Sequence, residues 1–344
     1  MQWLEDVLRR GWTCHRPAVH ADGRTLSYAE LLSAAAALAA ELTETVSHHQ
    51  LQALIVAGNS AEHLVADLAT MIAGAATTAL PPDSTEIRHT AAGADVVLCD
   101  ADGRVVVDGL GLDRPIRTVD VREKPGVARP ELPGDTDDAR KVVVCPLAER
   151  EFALPSAAVD EMLRAVRLRA PTGVWRRYLA LAPLSSLTEQ TFVYLTLQHQ
   201  GTVLLSNALH DVSAAQLTAP VAESLLRQHP ELDGEDLCRA LFGPTTPYLV
   251  CFDPVAPIDE LTARGVPVHR GFAIGTYPIT LAAQGTSGHS GEPLSHVWLK
   301  VADDGELMVK SKSHLIMPWR SADDGWLGLG VRGSLDTAGR ILVG

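Results

Sequence analysis

The stretch from Leu51 to Pro82, LQALIVAGNSAEHLVADLATMIAGAATTALPP, decides the fold. LQALIVAG is a short apolar run without polar alternation and reads as a buried strand. NSAEHLVADLATMIAGA continues as a helix that Asn59 or Ser60 caps and that ends at Gly74. ATTALP is again a short strand. Strand, helix, strand in this order favours a layered α/β architecture with mostly parallel sheets.

The same alternation extends in both directions. Upstream, RTLSYAELLSAAAALAAELTET opens on Ser27 with Glu30 three residues later, the pattern of a capping box, and runs on as an Ala/Leu-rich helix. Downstream, STEIRHTAAG reads as a helix and DVVLCD as a strand. From Asp102 to Asp138 the chain turns polar and rich in Gly, Pro and Asp, which predicts irregular structure. Beyond it come the strand KVVVCPL, the helix PSAAVDEMLRAVRLR, the strand RRYLALAPL, the helix LTEQTFVYLTLQHQG and the strand TVLLS. Two helices, APVAESLLRQHP and DGEDLCRALF, precede the strand PYLVCF. After Gly285 the pattern becomes β-rich: VWLKVADDGELMVKSK is a hairpin turning at Asp304-Gly305, and a last turn falls at Ala338-Gly339. The expected division is residues 1–135 and 136–284 as two α/β subdomains and 285–344 as a β-rich one. No tandem repeat or low-complexity block is visible.

Composition limits the classes of function. The 344 residues, 46% hydrophobic and 21% charged, suit a soluble globular protein able to bury a large core. A formal charge of -13 and the lack of any basic run argue against nucleic acid as a partner. No apolar run is long enough to span a bilayer, so no membrane partner and a cytoplasmic location are expected. Cys14, Cys99, Cys145, Cys238 and Cys251 are scattered without CxxC spacing, which suggests reduced thiols and neither a disulfide framework nor a zinc site. The thirteen histidines show no HxxxH or HExxH spacing, so no metal site is expected.

Taken in order, DGRTLSYAELLSAAAALAAEL, the stretch at 54–82, RRYLALAPLSSLTEQTFVYLTLQHQGTVLL, LTARGVPVHRGFAIGT, GEPLSHVWLKVADDGELMVKS and DDGWLGLGVRGSLDTAGRILVG resemble the large N-terminal domain of the acyl-adenylate-forming (AMP-binding) enzymes. Within that superfamily the chain looks most like fatty-acyl-CoA ligases and adenylation domains. The resemblance implies an αβαβα-type N-terminal domain with a β-rich subdomain. It also implies that the family's small C-terminal domain would begin just after Gly344, where the sequence stops.

The resemblance further implies a nucleotide site, and this chain departs from it at each motif. The family's triphosphate loop is rich in Ser, Thr and Gly. At the matching place this chain has CPLAEREFALP, with Glu149 and Glu151 where backbone amides should cradle phosphate. The adenine-contacting turn becomes DPVAPI, with Pro254 and Val255 at its glycine positions. The family's Thr-Glu pair, whose Glu helps hold magnesium, is matched by Gly275 and Thr276 in GFAIGT. At the ribose-binding Asp the aligned residue is Val331, which cannot accept hydrogen bonds from sugar hydroxyls.

The reading that follows is a degenerate homologue that has lost ATP-dependent carboxylate activation. It would need no cofactor and would bind an acyl-type small molecule, a carrier protein or a partner enzyme, in specialised-metabolite biosynthesis. One alternative is an acyl or aminoacyl ligase that obtains its C-terminal domain in trans and uses ATP and magnesium. Another is a repurposed enzyme using the vacated cavity for acid-base chemistry, with His269, Asp253 and Glu189 as candidate groups. For His269 the simpler reading is a strand-end histidine paired with backbone, and for Glu189 a solvated carboxylate favoured by a helix N-terminus. By the resemblance the acyl pocket is lined by Ser185, Ser186, Glu189, Phe252, Phe272, Ala273, Ile274 and Thr276. TSGHSGE reads as a plain loop.

Overall fold

The computed structural model describes residues 1–21, 23–44, 49–122, 124, 126–134, 138–145, 150–205, 211–252, 256–282, 291–312, 325–337 and 340–343. Helix α1 (Gln2–Gly11) precedes a hairpin of β1 (Pro17–Ala21) and β2 (Arg24–Ser27), then α2 (Tyr28–Thr43). An alternating run follows: β3 (Gln52–Val56), α3 (Ala61–Ile72), β4 (Ala76–Leu80), α4 (Ile87–Ala92), β5 (Val96–Cys99), α5 (Ala101–Leu110) and β6 (Ile116–Thr118). A second hairpin, β7 (Ala139–Cys145) and β8 (Arg150–Pro155), leads into α6 (Ser156–Arg169), β9 (Arg177–Leu179), α7 (Leu187–Gln198), β10 (Thr202–Leu205) and β11 (Ala214–Gln216). Next come α8 (Ala219–Gln228), α9 (Gly234–Phe242), β12 (Tyr248–Cys251), α10 (Ala256–Ala263), β13 (Val268–Ile274), β14 (Tyr277–Leu281) and β15 (Glu292–Pro293). The chain closes with β16 (Val297–Val301), β17 (Glu306–Ser311), β18 (Leu327–Leu335) and β19 (Ile341–Val343).

The strands form three sheets. One has six strands in the order β6-β5-β3-β4-β7-β8, parallel except for β8. The second has nine, in the order β15-β14-β13-β12-β11-β9-β10-β1-β2, with a parallel centre and antiparallel edges. The third is an antiparallel meander of β16 to β19.

Helices sort onto the sheet faces by their apolar surfaces. The largest core joins α1, α2, α3, α6 and α7 to the facing sides of the six- and nine-stranded sheets, through residues such as Trp3, Leu31, Leu68, Met162 and Phe192. A second core packs α8, α9 and α10 on the outer face of the nine-stranded sheet, and a third packs α4 and α5 on the outer face of the six-stranded one. The result is five layers, αβαβα, with the β-rich meander attached. The parallel strands are buried on both faces, which is why LIV and VVLC lack polar alternation.

Local chemistry sets the helix ends. The Ser27 hydroxyl accepts from Glu30 N–H at 3.2 Å while the Glu30 carboxylate accepts from Ser27 N–H at 2.7 Å. The capping box read from the sequence is therefore present, and the Ser27 backbone bond holds the Glu30 carboxyl below its usual range. Ser27→Ala is expected to cost about 1 kcal/mol of stability by removing one cap bond, measurable as a lowered urea midpoint at unchanged slope. Ser60, not Asn59, caps α3 by accepting from His63 N–H at 3.2 Å. Asn59 instead ties the two large sheets together. Its amide donates to Ala182 O at 2.8 Å and its oxygen accepts from Leu184 N–H at 2.8 Å.

The expectation of irregular structure from Asp102 to Asp138 is corrected over its first part, where α5 and β6 lie. Asp100 caps α5 by accepting from Gly103 N–H at 2.8 Å, and Val107 is buried against the third core. Gly103, which reads as a breaker, is required by close approach: a Cβ there would lie 1.9 Å from Val56 O. Tertiary packing overrides the weak helix propensity of Asp and Gly.

Candidate active-site cleft

A cleft of about 580 Å³ opens between the two large sheets, where β4, β9, β11 and β12 end. Ligands in open α/β sheets bind outside the carboxyl ends of parallel strands, and this cleft is so placed. One wall carries Ser185, Ser186, Thr188, Gln190, Gln216 and Thr218; the other carries Thr77, Lys141 and the segment from Asp83 to Glu86. Phe252, Ala273, Gly275 and Thr276 complete it.

The inner wall is held by bonds among its own groups. Ser186 and Thr188 hydroxyls lie 2.7 Å apart, Gln216 donates to Thr188 Oγ1 at 3.0 Å, and Gln190 donates to Leu184 O at 2.8 Å. These groups are uncharged hydrogen-bonders. The charged side chains among the described lining residues are Asp83, Glu86 and Lys141.

Behind the cleft lies a buried polar cluster between α3, β7 and α7. The Asp67 carboxylate is shared by the Lys141 ammonium and the Tyr194 hydroxyl, and that hydroxyl is also 3.1 Å from Gln190 Oε1. Burial pushes the Lys141 amine down, against the opposing pull of Asp67, and pushes the Tyr194 hydroxyl up. His63, one helical turn before Asp67, is fully buried; its Nδ1 lies 3.1 Å from Gly58 O, and burial pushes its pKa down. Trp3 of α1 stacks on Tyr194 at 4.4 Å. None of these groups was singled out from the sequence. The signal was Asp67 itself, a carboxylate flanked in AEHLVADLATMI by Val65, Ala66, Leu68 and Ala69.

The residues expected to line the acyl pocket are divided by the structure. Ser185, Ser186, Phe252, Ala273 and Thr276 line the cleft; Glu189, Phe272 and Ile274 are not among its lining residues. Phe272 is buried in the core and Ile274 packs against it. Glu189 is corrected from a solvated carboxylate to a fully buried one, 0% exposed, which accepts from the Tyr178 hydroxyl at 2.9 Å. Burial raises its pKa well above the carboxylate range. The reason is that α7 is enclosed on all sides from Leu187 to Leu197, so its first turn meets no water.

His269 sits at the start of β13, half-buried, with Nδ1 3.3 Å from Ala282 O and its ring 4.2 Å from that of Tyr248. It is not among the cleft-lining residues. Gly275 lines the cleft at positive φ. Glu151 stands in β8 opposite Val144, and Val331 lies on β18, partly buried against the main core. Asp253, Pro254, Val255 and Glu149 lie outside the described residues, as do most of TSGHSGE and the Ala338-Gly339 turn. Cys14, Cys99, Cys238 and Cys251 take part in no disulfide. Among the described residues no group of three His, Cys, Asp or Glu side chains converges on a possible metal position, and no helix is long and apolar enough to cross a membrane.

Five αβαβα layers with a cleft at the strand ends share the fold of the N-terminal domain of adenylate-forming enzymes. Residues 9–161 of the chain match the model of the AMP-binding enzyme family. Its fold is similar to unliganded O-succinylbenzoate coenzyme A synthetase (MenE) from Bacillus subtilis, with TM-score 0.77 and 18% identity over 99% of this chain and 78% of that one. It is also similar to a putative long-chain-fatty-acid CoA ligase from Rhodopseudomonas palustris (TM-score 0.76, 18% identity, 99% and 98% covered). The N-terminal domain of FACL13 from Mycobacterium tuberculosis superimposes with TM-score 0.80 at 16% identity, covering 99% of both chains. No curated protein matches the sequence significantly.

Proposed function

We propose that this chain is an adenylate-forming-enzyme homologue that has lost ATP-dependent carboxylate activation and holds an acyl ligand in the cleft between its two large sheets. The charge of the cleft supports this reading above all. Among its described lining residues the cation is Lys141, already paired with Asp67, while Asp83 and Glu86 are acidic. A triphosphate entering such a site would meet no uncompensated positive charge among these described residues, and phosphoryl-transfer sites work by neutralising charge at the phosphates. The hydroxyl and amide groups of the inner wall, by contrast, suit a neutral or singly charged acyl compound. Val331 at the ribose position is apolar and committed to packing, which adds to the same picture.

Titration calorimetry with ATP-magnesium, run beside a panel of carboxylic acids and acyl thioesters, tests the proposal. The expected result is no heat from ATP-magnesium at millimolar concentration, no pyrophosphate exchange with any acid, and saturable binding of at least one acyl compound. Micromolar ATP binding accompanied by pyrophosphate release would overturn it.

A further inference from the structure

We propose that Lys141 and Thr77 form a hydrogen-bond site for an uncharged oxygen on the body of the ligand, so that the cleft selects oxo acids over plain alkanoic acids. This rests on the reading of the cleft as an acyl site. An ammonium carries three N–H donors. Lys141 is nearly fully buried, and Asp67 takes one of its donors; no other acceptor for Nζ is present among the described residues. Nζ also lies over the face of the Tyr194 ring, 5.4 Å from the centroid.

Thr77 supplies a second, independent observation. It is the residue directly beside Lys141 across the β4-β7 ladder, and its buried hydroxyl has no hydrogen-bond partner among the described residues. Buried donors without acceptors are destabilising and rare in folded proteins. Here two stand side by side, and both residues line the cleft. A molecule in the cleft can satisfy both at once.

The charge of the site decides what that molecule presents. Lys141 and Asp67 together are neutral, so a second carboxylate would leave a net buried negative charge beside Asp67. A ketone oxygen has two lone pairs, enough for one N–H of Lys141 and the hydroxyl of Thr77, and adds no charge.

Calorimetry with straight-chain acids bearing a ketone at successive carbons, set against the parent acids and the dicarboxylates of equal length, tests this directly. At least one oxo acid is expected to bind roughly ten- to a hundredfold more tightly than its parent, the range of a hydrogen bond to a charged donor. The pairwise replacement Lys141→Met with Asp67→Leu removes the ion pair without stranding a charge, which keeps the fold. In it the oxo preference is expected to vanish while the parent acids still bind, and Thr77→Val is expected to reduce it in part. An oxo preference that survives the pairwise replacement, its absence from the wild type, or tighter binding of the dicarboxylate overturns the assignment while leaving the cleft an acyl site. Failure of every acid to bind overturns the reading of the cleft itself, and this assignment with it.

Discussion

Asp67→Ala is expected to destabilise the protein by about 3–5 kcal/mol, the range for removing one partner of a buried ion pair. The carboxylate holds both the Lys141 ammonium and the Tyr194 hydroxyl at the inner end of the cleft, where all three side chains are almost fully buried. Without it, Lys141 must either remain charged in a poor environment or lose its proton. Because burial already lowers the Lys141 pKa, loss of the proton is the easier course, and the deficit is expected to shrink as pH rises. Urea unfolding at several pH values measures both effects. The pairwise Lys141→Met and Asp67→Leu replacement is expected to unfold within about 1 kcal/mol of the wild type or to exceed it, since apolar pairs often replace buried ion pairs at no loss. A cost below about 1 kcal/mol for Asp67→Ala would show that the cluster is hydrated and energetically slack.

Glu189 is expected to give the fold a pH dependence opposite to that of an ordinary carboxylate. Its burial beside Tyr178 raises the folded pKa well above the ordinary glutamate value of 4.5. The contribution to stability is then fully present below that unfolded value and is lost as pH rises from there through the folded value. Within that window one proton is at stake, so the slope is about 1.4 kcal/mol per pH unit. Glu189→Gln keeps an acceptor for the Tyr178 hydroxyl and removes the titration. The variant is therefore expected to gain on the wild type steadily from about pH 4.5 upward. Denaturant midpoints of the two proteins across pH 4 to 9 are the measurement. Parallel curves would show that Glu189 ionises freely.

Which features could be read from the sequence follows from how local their causes are. The capping box at Ser27 and Glu30 involves four consecutive residues and was legible. So were the buried strands, because a parallel strand covered on both faces has no polar alternation to disguise it. The helix Ala101–Leu110 was not, since its Asp and Gly are tolerated by a cap and by a close approach to Val56 that only the fold creates. Glu189 was misread because its position in a first helical turn is a local fact, whereas the enclosure of α7 by both sheets is not. Lys141 and Asp67 are 74 residues apart, and nothing short of the β4-β7 pairing brings them together. Part of the cleft lining, such as Ser185, Ser186 and Ala273, was accessible by resemblance; the polar cluster behind it was not.

The pairing of β1 with β10 sets a timetable for the chain. Val19 to Ala21 lie beside Val203 to Leu205 in parallel register, so the edge of the nine-stranded sheet joins segments made far apart in time. At ordinary synthesis rates of about 5–20 residues per second, the β1-β2 hairpin waits roughly 10 to 35 s for its neighbour. The six-stranded sheet, spanning Gln52 to Pro155, meets all its strands earlier. During that interval Val19 and Leu26, destined for full burial, have no sheet to cover them. A nascent chain of this protein therefore passes through a stage with all strands of the six-stranded sheet made and an unpaired hairpin ahead of it, the point at which a chaperone has most to hold.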